Sequence, residues 1–372
     1  MSEQMNSKER ILASIRGEST DRLAWCPFLA YWWGSNPELS EIWKMGEFGY
    51  LQSINSDPLL RGAGSLLNVE RKNCKYITKK DGNKTHTTTE TPVGNLYQTH
   101  TYAQGPNTSF LTEHPVKTKE DMKILTYIME NTAVTPNFKS FDSSAEHVGD
   151  KGLLVPLIIS ESKSAFQIMI ENYVGTEELN YMLADYPEEV ETCLAVMHAN
   201  SRKCADIAVE SNAEAFIFWE DSSTLNVSPS QFDKYIKNEI NYWGKKIHEN
   251  GKYLIHHACG SLKGFMPILK DMEIDMIESI PPPPTGDIEL WDAYKILKTS
   301  EKNNPPVGLI GGIEPVMLLT LSEDDLREYT QKLIDNMKAV NCKKFILANS
   351  DSCPVGVEEN RFRLVTELIR QL

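Results

Sequence analysis

The chain has 372 residues, 41% hydrophobic and 24% charged, the balance of an ordinary globular protein rather than a disordered or fibrous one. Its 38 basic residues stand against 52 acidic ones, and the resulting charge of −14 argues against a nucleic-acid partner. Residues 1–18 mix charged and apolar positions, unlike a secretory signal, and no stretch reaches the ~18 consecutive apolar residues of a membrane helix, so no membrane association is expected.

Asn6 followed by Glu9 reads as a capping box, Ile11, Leu12 and Ile15 share one face, and Gly17 is placed to close a short N-terminal helix. Residues 23–31 are apolar and aromatic enough for a buried strand, with Trp32 and Trp33 at or just past its end. Residues 64–112 are polar and threonine-rich. KKDGNK at 79–84 takes the place of a hairpin turn and LYQTHTY at 96–102 alternates, which predicts a β-hairpin insertion over one mouth of a barrel.

From residue 153 onward short apolar runs alternate with amphipathic helices, the pattern of parallel strands with crossover helices. The runs span 153–160, 215–221, 253–260, 275–280, 307–313 and 344–350. Helix starts are marked by Pro187, by Ser228 with Pro229 and Gln231, and by Ser322 before Asp325. The helix from Ser228 places Phe232, Ile236, Ile240 and Trp243 on one apolar stripe, with Gly251 after its end. With the strand at 23–31 and one more in the weaker stretches, the expected fold is α/β: a single-domain (β/α)8 barrel over 1–372, with an N-terminal helical segment and the 64–112 insertion.

Barrel active sites lie at the C-terminal ends of the strands, and here the runs close on reactive groups. They end in Glu220-Asp221, in His256-His257-Ala258-Cys259, in Glu278, in Gly311-Gly312 with Glu314, and in Asn349 through Cys353. Residues two apart on a strand share a side, so His257 and Cys259 form a pair and His256 faces the opposite way. Cys353, just past the last run, has a route to the same mouth. Two thiolates and an imidazole suit zinc, whose catalytic sites use three protein ligands and keep a fourth position for water or substrate; Glu278 and Glu220 are candidates to fill it at rest.

On residue types alone the alternative stands level, with Cys259 and Cys353 as small buried hydrophobes and His257 as a core histidine. The placement of all three at strand ends favours zinc. The seven cysteines, an odd and scattered set, fit a reducing, cytoplasmic setting rather than a disulfide framework. Glu220, Asp221 and Glu278 are candidate catalytic carboxylates, or else rim groups bonded to backbone amides. Gly311-Gly312 reads as close backbone approach rather than a phosphate cradle, and Trp25, Phe28, Tyr31, Trp32 and Trp33 as core more than pocket.

Four blocks, NSKERILASIRGESTDRLAWCPF, AEAFIFWEDSSTLNVSPSQFDKYI, LIHHACGSLKGFMPILKDMEIDMIES and EENRFRLVTELI, resemble the uroporphyrinogen decarboxylase superfamily over nearly the whole chain. The resemblance implies the same barrel. The decarboxylases of that superfamily follow an early strand with arginines that grip substrate carboxylates, whereas this chain has WCPFLAYWWGS there, which argues against a tetrapyrrole polyacid. Its cobalamin-dependent methyltransferases carry His-x-Cys-Gly and a later cysteine, and His257, Cys259, Gly260 and Cys353 match them.

That match implies a zinc ion held by His257, Cys259 and Cys353, and a methyl group moved between a small substrate and cobalamin carried by a separate corrinoid protein. Such a site either activates a thiol such as coenzyme M as acceptor or polarises the oxygen of a methyl ether or methanol as donor. The aromatic-rich first segment tilts the reading toward O-demethylation of a methoxylated aromatic, with Glu220 or Asp221 managing the proton. The alternatives are a metal-free decarboxylase of the same fold and a non-catalytic module that binds zinc or a corrinoid protein.

Overall fold

The computed structural model describes residues 4–36, 46–104 and 108–371. In chain order their strands are β1 (Leu59–Arg61), β2 (Leu67–Arg71), β3 (Lys75–Asp81), β4 (Lys84–Thr91), β5 (Gly94–Ala103), β6 (Thr108–Glu113), β7 (Thr132–Pro136), β8 (Leu153–Val155), β9 (Ala215–Trp219), β10 (Tyr253–Ala258), β11 (Met276–Ser279), β12 (Gly308–Ile313) and β13 (Phe345–Asn349). The contacts among them gather into two units. The first comprises Met1–Ser65, Phe138–Leu157 and Asn212–Leu372, the second Leu66–Asn137 and Ile158–Ser211.

In the first unit, β9 to β13 form one parallel sheet in the order β13-β12-β11-β10-β9, and β1 pairs in parallel with β8. The five runs from residue 215 onward therefore do form neighbouring parallel strands, each a residue or more shorter than its apolar run. Isolated parallel bridges extend the five-stranded sheet at both edges, Trp25 to Leu347 and Leu157 to Ile217. The Asp57 amide donates to the Trp25 carbonyl at 2.7 Å. Among the described residues the ladders of this unit lie in two sheets rather than one continuous closed one.

Alternate residues of these strands build the core. Ile217, Ile255, Met276, Ile310, Ile346 and Ala348 meet Leu59, Val155 and, from the N-terminal helix, Ile11 and Ile15. Each large apolar side chain buried this way contributes about 1.5–3 kcal/mol. The helix Ser7–Arg16 has the expected capping box, Asn6 with Glu9, and ends at Gly17 in the left-handed conformation. Ser228 with Gln231 forms the second box, Pro187 opens the long helix Pro187–Ala208, and Ser322 caps Glu323–Ala339. Phe232, Ile236, Ile240 and Trp243 are buried as their spacing requires.

Residues 23–31 do not form the expected strand. Only Trp25 makes a bridge, and a short helix, Ala30–Gly34, holds Trp32 and Trp33. Pro27 lacks the N–H a continuing ladder needs, and the next amide, on Phe28, donates instead to the Asn349 side chain at 2.8 Å. The weaker stretch before residue 64 does hold a parallel strand, β1, only three residues long.

The second unit is richer than the single hairpin expected at 64–112, of which residues 105–107 lie outside the described residues. β3, β4, β5 and β6 form a four-stranded antiparallel sheet, and β2 pairs antiparallel with β7. The turn falls as predicted: Asp81 pairs with Lys84, and Gly82 between them has a φ of 59°. Asn200, on the helix Pro187–Ala208, donates to the Met129 carbonyl at the end of Lys119–Glu130. Among the described residues no helix is long and apolar enough to cross a membrane.

Candidate metal centre

Strands β9, β10 and β11 are parallel neighbours in a register that sets His257 beside Trp219 on one side and Glu278 on the other. Parallel pairing brings their C-terminal ends level, so the loops that follow start from a common edge. His257 follows Ile255 by two residues and faces the core side with it. His256 faces the other way and stacks on Phe218, centroids 4.7 Å apart and planes 23° apart. Burial pushes its pKa down to about 3, so His256 is a neutral core residue.

Asp221, His257 and Cys259 each bring a ligand atom to within 4.8 Å of the others. The Cys259 sulfur lies 3.2 Å from Asp221 Oδ1, and His257 Nε2 lies 3.9 Å from the same oxygen. An imidazole nitrogen, a thiol and a carboxylate are donors that zinc accepts and that calcium or magnesium would not select, so the residues present fit such an ion.

Glu278 stands behind His257 rather than in front of it. Its Oε2 is 3.1 Å from His257 Nδ1, while Oε1 accepts from Arg61 Nε in a pair that is almost wholly buried. Burial alone would raise the Glu278 pKa, but Arg61 and His257 outweigh it and hold the pKa below the ordinary carboxylate value. An ionised carboxylate only accepts, so Nδ1–H donates to Glu278 and the ring turns its Nε2 edge toward Asp221.

The backbone at this edge is unusual. Gly260 has a φ of 82°, and a Cβ there would meet Ser223 Oγ at 2.9 Å, so the chain turns sharply just after Cys259. Ser279 and Ile280, which follow Glu278, have φ of 94° and 34°, conformations costing about 1–3 kcal/mol each for residues other than glycine. Gly311 approaches the Ser279 carbonyl closely, the packing role expected for that glycine pair.

Two residues named from the sequence stand apart from this group. Glu220 is fully buried and accepts from Ser222 Oγ at 2.8 Å. Cys353 lies outside the gathered atoms, of which Asp221 supplies the third. The Cys353 amide donates to the Phe28 carbonyl at 3.1 Å, and burial pushes its thiol pKa up. Asp351, two residues earlier, also has its pKa raised, first by burial and then by the charges of Asp221 and Glu278.

Residues 102–372 match the model of the family described as Uroporphyrinogen decarboxylase (URO-D). The chain belongs to the uroporphyrinogen decarboxylase family. Among solved structures, a methyltransferase from Methanosarcina mazei is similar with a TM-score of 0.62 at 12% identity, covering 99% of each chain. The search of curated proteins gives no match.

In this member of the uroporphyrinogen decarboxylase family, Arg22 and Arg61 are already engaged by carboxylates. Arg22 binds Asp57 through both terminal nitrogens, and Arg61 is held by Glu278. The early aromatics divide between core and site. Trp25 and Trp32 are buried, Trp32 donating to the Val357 carbonyl. Phe28 instead stacks on Trp219, ring centroids 5.8 Å apart, and meets His257 edge-on with centroids 6.0 Å apart.

Sequence reading missed Arg61 and assigned Asp221 a different role. Arg61 closes a three-residue strand too short to show a period, yet Leu59-Leu60-Arg61-Gly62 repeats the apolar-run-then-reactive-residue grammar of the later strands.

Proposed function

We propose that this chain is a zinc-dependent methyltransferase that moves a methyl group between a corrinoid protein and a small substrate, on a (β/α)8 barrel. The observation that carries the reading is the gathering of Asp221, His257 and Cys259 at one edge of the parallel sheet. The full-length likeness to a methyltransferase supports it. The barrel is supported by the succession of neighbours from Trp25 through β13 to β9 and on to Leu157, with β8 beside β1 and Asp57 bonded back to Trp25.

His257 and Cys259 would hold the zinc together with Asp221, and Cys353, on the loop after β13, offers the later thiol that the motif names. When bound, zinc supplies Lewis acidity, lowering the pKa of a thiol or polarising an ether oxygen. The chain's own groups do the rest. Glu278 keeps His257 oriented, and the stacked Phe28 and Trp219 give a planar apolar wall against which an aromatic ring fits. The aromatic wall favours O-demethylation of a methoxylated aromatic over methylation of a thiol such as coenzyme M.

The test pairs the purified chain with one corrinoid protein and compares demethylation of a methoxybenzoate with methylation of coenzyme M. Zinc near one ion per chain and methyl transfer from the ether are expected. No zinc after reconstitution and no transfer in either direction would overturn the reading, and carbon dioxide release by metal-free protein would replace it with a decarboxylase.

A further inference from the structure

In the second unit the antiparallel sheet β3 to β6 keeps one face for a cavity of about 310 Å3. Leu96, Gln98 and His100 alternate onto that face along β5, and Leu96 pairs through Thr89 with Tyr76 in one cross-strand row. Arg71 and Glu161 line the same cavity, with Asn172 and Tyr173 from the π-helical turn Met169–Val174. Such turns are rare and recur at functional sites. Arg71 Nη2 donates to Glu161 Oε1 at 2.7 Å and to Tyr173 Oη at 2.9 Å. The guanidinium also carries donors on Nε and Nη1, and among the described residues Glu161 is bonded only through Oε1. The pair is not sealed off, since the two side chains are 24% and 32% exposed.

We propose that this cavity binds a small zwitterion, an amino acid with an uncharged polar side chain, whose carboxylate meets Arg71 and whose ammonium meets Glu161. Charge selects the class. A carboxylate alone gains from Arg71 but is opposed by Glu161 a hydrogen bond away, and an amine alone meets the reverse. An uncharged sugar answers neither charge. A zwitterion carries both signs one carbon apart, and so adds attraction at each end of a pair that is itself neutral. The amides of Gln98 and Asn172, each a donor and an acceptor, suit an uncharged polar side chain. Burial and the charge of Glu161 raise the Tyr173 pKa, so its hydroxyl stays a phenol and brings no further charge to the cavity. The inference depends on neither zinc nor methyl transfer, and either reading can fail without the other.

Isothermal titration calorimetry on the full-length protein tests it, with L-serine, L-threonine, L-asparagine and L-glutamine as probes. Propionate, ethylamine and methyl glucoside serve as controls that lack one charge or both. At least one amino acid should bind with one site per chain, and no control should bind or displace it. Arg71→Met and Glu161→Gln, each shown to be folded by circular dichroism, should each weaken binding on the order of tenfold or more, the scale of a hydrogen bond to a charged group. A pair that served only to hold the chain together would lower the melting temperature of these variants and leave affinity unchanged, which overturns the proposal. Failure of every amino acid to bind overturns it too, as does a control that binds as tightly. If a charge variant does not fold, Gln98→Leu decides in its place: it keeps both charges and should still weaken binding, and unchanged affinity there overturns the proposal.

Discussion

Asp221 and Cys259, 38 residues apart in sequence, bring a carboxylate oxygen and a thiol sulfur to 3.2 Å from each other. The two sit on the loops after adjacent strands, and His257 Nε2 lies 3.9 Å from the same oxygen. If this is a metal centre, His257→Ala and Cys259→Ser should each abolish stoichiometric zinc, measured by elemental analysis on protein shown to be folded by circular dichroism. Asp221→Asn removes the charge and keeps the shape, so zinc should bind more weakly. Cys353→Ser should also weaken it; unchanged zinc there would assign the third position to Asp221 alone.

A second prediction concerns stability away from the site. Asp57 is fully buried and accepts from Arg10 Nη1 at 2.5 Å, Arg22 Nη1 at 2.7 Å, Ser7 Oγ at 2.9 Å and the Trp25 amide at 3.1 Å. Asp57→Ala leaves two guanidinium groups facing an empty place, and breaking a buried pair in this way costs about 3–5 kcal/mol. Urea denaturation of the variant beside wild type measures it, and a loss below about 1 kcal/mol would mean the cluster is solvated in the folded state.

The pH dependence of stability should carry a mark from His248. Its hydrogen bond to Asp275, 2.9 Å from Nε2, raises its pKa above 6.5 against the effect of burial. Between 6.5 and the raised value the folded chain binds more protons than the unfolded chain. The contribution is therefore fully present below the unfolded pKa and fades as pH rises through the folded one. Thermal melts across that window should show a slope that His248→Gln removes, and an identical slope in the variant would rule the residue out as its source.

Gly311 gives a fourth test. Its φ is 140°, and a Cβ would come within 2.7 Å of the Ser279 carbonyl oxygen, on the strand that carries Glu278. Gly311→Ala should cost about 1–3 kcal/mol through backbone strain and overpacking. Because that carbonyl belongs to the residue after Glu278, zinc affinity should fall as well, and calorimetry on the folded variant separates the two effects.

The C-terminal half was legible because long helices and fully buried parallel strands leave strong periods, and because strand ends concentrate reactive residues. The pair His257 and Cys259 followed from alternation alone. What the sequence hid was short or shared. β1 is three residues long and shows no alternation, so Arg61 passed unnoticed. The apolar stretch at 23–31 carries a strand composition, but Pro27 and the Asn349 side chain divert its backbone. Asp221 and Cys353 both follow strand ends, and composition cannot say which of them stands nearest His257 and Cys259, where the structure gathers Asp221. At 64–112 the threonines signalled strands without revealing that four would pair into one sheet.

The amide of Phe28 is satisfied by Asn349, 321 residues downstream, and the Asn349 side chain returns a bond to the Phe28 carbonyl. A ribosome adding roughly 5–20 residues each second needs on the order of half a minute to supply the later partner. Until then the aromatic segment beside Trp25 and the free edges of the growing parallel sheet stay uncovered in the nascent chain. Chains truncated before β13 should therefore aggregate more readily than the full-length chain, because the early segment lacks its partner from the final strand.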